Sequence, residues 1–279
     1  MGIMNAKRGT ARIRSLATEL TDLRAQAGLN TRDAAKLVGM SPSTLNRLEN
    51  GGKSIQPEDV SALLVAYRVT GLNLARESNF PGWWDNGGGA LPKHLPALIS
   101  FESDANRIIH VSLLLVPGLL QTADYIRAFL ASTGVTGSEM ETRVATRLGR
   151  HAVLSKPQAP AYLAIIDEAA LRRPIGGPEV MAAQLRHLIA VSRRRNVDIR
   201  IIPFAAGPHA GLDGTYVVLE FVGARTIVYL EHKRSSVFID EPEDVAPFNE
   251  ATDKLIGSAL GPADSFEFLA SVADDYGKG

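Results

Sequence analysis

The chain has 279 residues, with thirty basic and thirty acidic side chains, so its length suggests two domains and its overall charge shows no polyanion-binding signature. It has no cysteine, which excludes a disulfide framework, a thiolate metal site and a thiol nucleophile. No apolar run approaches the roughly 20 residues that span a bilayer, and the N-terminus lacks the apolar stretch of a signal peptide, so a cytoplasmic, nucleoid-associated protein is the expectation. The charge is unevenly spread. Residues 1–75 hold ten Lys/Arg against six Asp/Glu, a net of +4, which leaves −4 for the remainder. A basic head on an acidic body suits a DNA reader joined to a domain that does not bind DNA.

Residues 1–15, with Lys7, Arg8, Arg12 and Arg14, read as a basic N-terminal arm that reaches phosphates or the minor groove, or, for the first eight, as a solvated tail. Leu16, Leu20 and Leu23 then recur at helical spacing, predicting a helix from Leu16 to Ala27 that Gly28 ends. Thr31 to Val38 reads as a short second helix capped by Asn30 or Thr31, with Ala34 and Ala35 small enough for a close crossing. Gly39 supplies a turn and Met40 an apolar plug. Ser41 is a natural N-cap, Pro42 suits the first helical position, and Gly51 lies where a left-handed residue closes a helix. Leu45 and Leu48 share the inner face. Ser43, Thr44, Asn46 and Arg47 are left outside, and their hydroxyls, amide and guanidinium are groups that read base edges and phosphates. Two short helices joined by a Gly-containing turn form the plain DNA-binding motif. The candidate DNA contacts are Arg32, Ser43, Thr44, Asn46, Arg47, Asn50 and Lys53, with Asn50 to Lys53 a loop suited to a phosphate. Pro57, Glu58 and Asp59 open a fourth helix with Val60, Leu63, Leu64 and Tyr67 as its buried stripe, and Leu72 to Ala75 read as a short fifth. The head is therefore an all-α helix-turn-helix domain over 16–78.

The run from Ala34 to Gly51 resembles the Xre family of phage-repressor-like regulators, and the likeness extends over roughly Leu16 to Val69. Members often carry Gln, able to contact a base, where this chain has Pro42. Ser43, Asn46 and Arg47 must then carry more of the readout.

Residues 79–92 form a turn-rich linker containing Gly87, Gly88, Gly89 and the chain's two tryptophans, Trp83 and Trp84. The tryptophans read as core anchors, or as a protein contact together with nearby arginines. From 93 to 279 helices alternate with short strands. Helices are expected at Leu95–Asn106, Leu119–Ser132, Glu139–Leu154, Pro178–Ser192, Pro242–Leu260 and Pro262–Asp275. Strands are expected at Ile108–Ser112, Tyr162–Ile166, Val197–Ile202, Thr215–Phe221, Thr226–Leu230 and Ser236–Ile239, the last three as an antiparallel meander. The expectation is a larger α+β domain with a small, largely antiparallel sheet.

Four ordered motifs mark this domain: Leu115 to Tyr125, Asp167 to Gly177, Gln184-Leu185, and Val197 to Phe204. Over about residues 83–275 it resembles the uncharacterised domain behind Xre-type heads in actinobacterial regulators, the WhiJ-like group. The resemblance implies a transcription factor acting beside a small BldB-like partner protein, in an arrangement compared with antitoxin and toxin. It implies no ligand.

Asp167 and Glu168 are adjacent carboxylates at a strand end, where neighbours point to opposite faces. They read as an N-cap and a first-turn acid rather than an acid/base pair. The six histidines form no paired metal-ligand spacing, although His209 with Asp213, and Glu231 with His232, give weak metal hints. Arg193, Arg194 and Arg195 suit a helix C-terminus. No nucleophile elbow, Walker loop or dinucleotide fingerprint occurs. The expectation is a homodimeric, sequence-specific regulator that binds double-stranded DNA at an inverted-repeat operator. The second domain would mediate dimerisation and partner or ligand input, with no catalysis, cofactor or metal. The alternative is a small-molecule receptor or enzyme domain fused to a DNA-targeting module.

Overall fold

Apolar stripes at helical spacing fold the head. The structure, a computed structural model, describes residues 11–50, 57–70, 95–231 and 236–278. Helix α1 (Ala11–Gln26) begins before the expected Leu16, so Arg12 and Arg14 lie in helix rather than in an arm. Gly28, at φ 71°, ends it in a left-handed turn. Helices α2 (Thr31–Leu37), α3 (Pro42–Glu49) and α4 (Pro57–Thr70) follow. Leu20, Ala34, Ala35, Leu45 and Leu63 are fully buried between them. Gly51, the expected helix closer, and the fifth helix at Leu72–Ala75 lie outside the described residues. The linker, with Trp83 and Trp84, lies outside them too.

The second domain opens with α5 (Leu95–Asp104) and β1 (Arg107–Ser112). The expected helix from Leu119 divides into a 3₁₀ turn at Gly118–Leu120 and α6 (Ala123–Ser132). Gln121 takes an extended conformation between them, and Thr122 caps α6 by accepting from the Tyr125 N–H. Helix α7 (Gly137–Arg150) tightens into a 3₁₀ segment at His151–Ser155. Then come β2 (Ala161–Asp167), α8 (Glu168–Arg172), α9 (Pro178–Val191) and β3 (Val197–Ile202). The chain finishes with β4 (Tyr216–Glu220), β5 (Ile227–Glu231), β6 (Ser236–Ile239), α10 (Pro242–Ser258) and α11 (Pro262–Gly277).

The sheet corrects the expectation of a small, largely antiparallel one. It has six strands in the order β3-β2-β1-β4-β5-β6 and is mixed. Strands β1, β2 and β3 run parallel, and β4, β5 and β6 continue from β1 as an antiparallel meander. The reason lies in the connections. A parallel pair needs a crossover of a dozen or more residues, usually helical. Helices α6 and α7 fill the connection from β1 to β2, and α8 and α9 the one from β2 to β3.

Alternation divides the sheet's two faces. Ile109, Val111, Leu163, Ile165, Val218 and Val228 face α10 and pack with its Val245 and Leu255. Ile108, Tyr162, Ile166, Ile199, Leu219 and Phe238 face the other way, in a cluster that includes α5, α9, α11 and the head. Helix α4 packs against β6, the outer strand on one side, and α2 meets α5. The outer strand on the other side, β3, is sealed by the α10–α11 junction. There Leu260 N–H donates to Ile201 O at 2.8 Å, and Ile201 N–H donates to Ser265 Oγ at 3.1 Å. Unpaired strand edges invite pairing with other chains, and the α10–α11 junction takes up the Ile201 groups of one such edge here.

Candidate nucleic-acid interface

Local hydrogen bonds build α3 as its sequence requires. The Ser41 hydroxyl accepts from Thr44 N–H at 3.1 Å, and Pro42 fills the first turn where no donor is needed. Asn30 caps α2 in the same way, accepting from Asp33 N–H at 2.9 Å. Between the helices Gly39 takes φ 66°, a left-handed conformation that needs no Cβ.

The inner face of α3 buries Leu45, Leu48 and Glu49. Its outer face exposes Ser43, Asn46 and Arg47, with Thr44 half-buried. The outer side chains are partly pre-set. Asn50 Nδ2 donates to Asn46 O at 2.7 Å and to Asn46 Oδ1 at 2.9 Å. The Arg47 Nε–H reaches Ser43 O at 3.4 Å. The hydroxyls of Ser41, Ser43 and Thr44 form a linked group with both contacts at 2.9 Å. Arg32 is exposed in the first turn of α2, apart from this cluster. Lys53 and the rest of its loop lie outside the described residues.

A buried ion pair holds α3 to the first helix. Arg24 grips Glu49 with two parallel bonds, Nε to Oε1 at 2.7 Å and Nη2 to Oε2 at 3.1 Å. Its Nη1 donates to Leu29 O at 2.8 Å, tying down the turn after α1. Tyr67 of α4 donates to Glu49 Oε1 at 3.5 Å. The bond to Glu49 raises the Arg24 pKa, and burial, then the Glu49 charge, push the Tyr67 hydroxyl up. One carboxylate thus fastens α1, α3 and α4, and fixes how α3 is presented. Sequence reading placed Tyr67 in a buried stripe but missed Arg24 and Glu49, although for Glu49 a signal existed: Leu45, Leu48 and Glu49 share the i, i+3, i+4 stripe that marks a buried face.

The residues weighed as a catalytic pair have structural partners. Asp167 Oδ1 accepts from Ala169 N–H at 2.7 Å and caps α8. Its Oδ2 lies 3.0 Å from His209 Nε2, and His209 Nδ1 accepts from Gly211 N–H at 3.2 Å. Both ring nitrogens are thereby engaged. Glu168 pairs with Arg172 and accepts from Phe204 N–H at 2.7 Å. A cleft of about 270 Å³ is lined by Arg172, Val272, Asp275 and Tyr276 and holds neither Asp167, Glu168 nor His209. Among the described residues no three His, Asp or Glu side chains cluster as a metal site would require. His232 is outside them. Of the arginine run after α9, Arg193 stacks on Phe266 and Arg194 donates to Ser155.

The family model of a helix-turn-helix domain matches residues 15–76. That of a domain of unknown function, DUF5753, matches residues 95–271, more than half of the chain. The chain belongs to the DUF5753 family. Comparison with curated proteins and with solved structures returns no match. This DUF5753 chain therefore carries a helix-turn-helix head on a domain whose family has no assigned activity. None of its described helices is long and apolar enough to cross a membrane.

Proposed function

We propose that this chain is a sequence-specific transcriptional regulator, with α3 as the recognition helix lying in the major groove of double-stranded DNA. The carrying observation is the outer face of α3: Ser43, Asn46 and Arg47 exposed on a helix whose inner face is packed and ion-paired. Asn46 and Arg47 have the amide and guanidinium that pair bidentately with adenine and guanine. Ser43 shares that readout, and Thr44, Asn50, Arg32 and Lys53 supply backbone contacts around them. The active species is a homodimer in the cytoplasm, because one short helix reads few base pairs and paired half-sites restore specificity. The second domain serves dimerisation and input, from a small BldB-like partner protein in an antitoxin-like arrangement of the WhiJ-like kind, or from a ligand. It turns over no substrate. The engagement of both His209 nitrogens supports a structural role for the Asp167–His209 pair.

Selecting bound duplexes from a random pool with the full chain tests this reading. An inverted repeat is expected, with half-site centres about 10 base pairs apart, and affinity that falls steeply as salt rises. A footprint on one asymmetric half-site together with a monomer mass overturns the dimer. Salt-insensitive binding without sequence preference overturns α3 as the reader.

A further inference from the structure

The second domain carries 18 Lys/Arg against 22 Asp/Glu over residues 95–279, a net of −4. Among its described residues seven arginines hold a carboxylate within 4.0 Å. One basic cluster does not follow this pattern. Arg193, Arg194 and Arg195 are consecutive and exposed in the turn from α9 to β3. Neither they nor Lys156, in the segment before β2, meet a carboxylate within that distance among the described residues. Contacts place the four together. Arg194 Nη1 donates to Ser155 Oγ at 3.0 Å, next to Lys156 in the chain. Lys156 Nζ donates to Ser103 O in the last turn of α5. The Arg193 guanidinium stacks on Phe266 of α11, 5.7 Å from the ring centre.

The three guanidinium groups are not needed to finish α9, because its last carbonyls accept from other donors. Leu188 O takes the Ser192 N–H and Ile189 O the Ser192 hydroxyl, both at 2.9 Å, and Val191 O takes the Arg194 N–H at 3.0 Å. The turn itself is held on both sides. Val197 N–H donates to Arg194 O at 3.1 Å, and Asn196 Nδ2 donates to Leu154 O and Pro160 O, both at 3.2 Å. Asn196 O accepts from Tyr162 N–H at 2.7 Å, and Asn106 O accepts from Ala161 N–H at 2.9 Å, which brings the starts of β1, β2 and β3 to one end of the sheet. The four cations line that end. Strands about 4.8 Å apart make three strand starts a row of roughly 10 Å. About three phosphates along one strand of a duplex, at about 3.4 Å each, span the same length.

The chemistry of the row fits a nucleic-acid backbone better than an acidic protein. The exposed large apolar side chains of the described residues, Leu114, Leu148, Phe204, Leu212, Val222 and Val237, all lie outside Ser155–Lys156 and Arg193–Arg195. Protein interfaces are built round an apolar core, whereas guanidinium, ammonium and hydroxyl groups without one are the set that grips phosphates. The row is also within reach of DNA held by the head. Helix α2 meets α5, and α5, ten residues and so about 15 Å long, carries Ser103 against Lys156 in its last turn. One duplex turn is longer, at about 34 Å. We propose that Arg193, Arg194, Arg195 and Lys156 form a second DNA contact, gripping phosphates beside the site that α3 reads. The contact adds affinity without sequence preference, and tethering by α3 raises the local phosphate concentration enough for weak charge pairs to count. This rests on the DNA reading given above and extends it to a domain whose net charge predicts no such contact.

The test measures binding of the full chain to the selected operator and to scrambled duplex across a salt series, each with about one helical turn of added DNA on both sides. The double variant Lys156→Gln with Arg195→Gln is expected to reduce the slope of log affinity against log salt by about 0.9 for each charge removed, about 1.8 in all. The reduction is expected on operator and scrambled duplex alike, because phosphates carry no sequence. The Arg195 side chain makes no hydrogen bond or ion pair among the described residues, so Arg195→Gln alone folds as the parent does. It is expected to lower the slope by about 0.9, and it decides the matter should the double variant fail to fold. A parental slope in both variants overturns the proposal, and a retained preference for the operator then leaves α3 as the reader. A slope that falls in the variants of a chain showing no preference for the operator upholds the second contact and overturns α3 as the reader.

Discussion

Arg47 and Glu49 stand two residues apart on α3 and point to opposite worlds, one to solvent and one to the packed interior. Arg47→Ala is expected to weaken binding to the selected operator by about 1–3 kcal/mol, the value of one bidentate base contact, and to affect scrambled duplex less. Equal losses on both duplexes would reassign Arg47 to a phosphate. Glu49→Ala leaves Arg24, only 15% exposed, without its partner. The expected cost is about 3–5 kcal/mol of stability, read as a lower urea midpoint, whereas a change within error would show the pair to be dispensable. Three histidines whose pKa burial lowers, His110, His151 and His187, make the chain sensitive to acid. Burial, with Arg150 adding repulsion, lowers the His110 pKa from 6.5 to about 3, and burial is again the largest cause holding His151 at about 4. Their neutral forms are fully favourable above pH 6.5. As pH falls from there, the unfolded chain takes up protons that the folded chain resists, so stability drops by up to about 1.4 kcal/mol per pH unit for each ring. His110→Leu is expected to flatten the fall between pH 6.5 and 4, and parallel curves for variant and parent would acquit His110. At this scale the caps were legible, because Ser41, Pro42 and Asn30 act within three residues of themselves. The Arg24–Glu49 pair was not, because its members are 25 positions apart and nothing local to either one names its partner.

The strands were legible as segments but their pairing was not. Val197 to Ile202 coincides with β3 and Ser236 to Ile239 with β6, since alternation within a strand is a local signal. Parallel pairing of β1, β2 and β3 depends on crossovers through α6–α7 and α8–α9, and periodicity does not record which strand a helix returns to. The three-strand meander was readable because short turns leave antiparallel return as the local solution. The second motif offers a test at the level of the α8–α9 connection. Gly176 and Gly177 both hold positive φ, at 75° and 88°, so a side chain at either carries backbone strain of about 1–3 kcal/mol. At Gly176 a Cβ would also stand 2.8 Å from Ala128 Cβ on α6 and 3.0 Å from Val180 Cβ, while nothing lies within 4 Å at Gly177. Gly176→Ala is therefore expected to destabilise by about 1–3 kcal/mol more than Gly177→Ala, from overpacking. Equal denaturation midpoints would mean that α6 yields freely.

Across the whole molecule the two domains share one hydrophobic cluster, in which Leu45 and Leu63 of the head belong with Phe101 and Phe238 of the second domain. The sequence reads as two domains with a turn-rich linker, and nothing in the linker's composition records the contact of α4 with β6. A chain reduced to residues 95–279 is expected to self-associate, because removing α4 bares β6 and its neighbours. Light scattering that grows with concentration for the shortened chain, but not for the full one, is the expected result. A monodisperse shortened chain would show that α4 protects nothing. Because the α10–α11 junction occupies β3 at the other end, two copies are also expected to meet through helices rather than by continuing one sheet into the next. The contact between α4 and β6 bears as well on how such genes can evolve. Recombination that swapped this head for another reader would succeed only if the newcomer brought a helix to the same strand, so the reader and the body it serves are inherited as a pair.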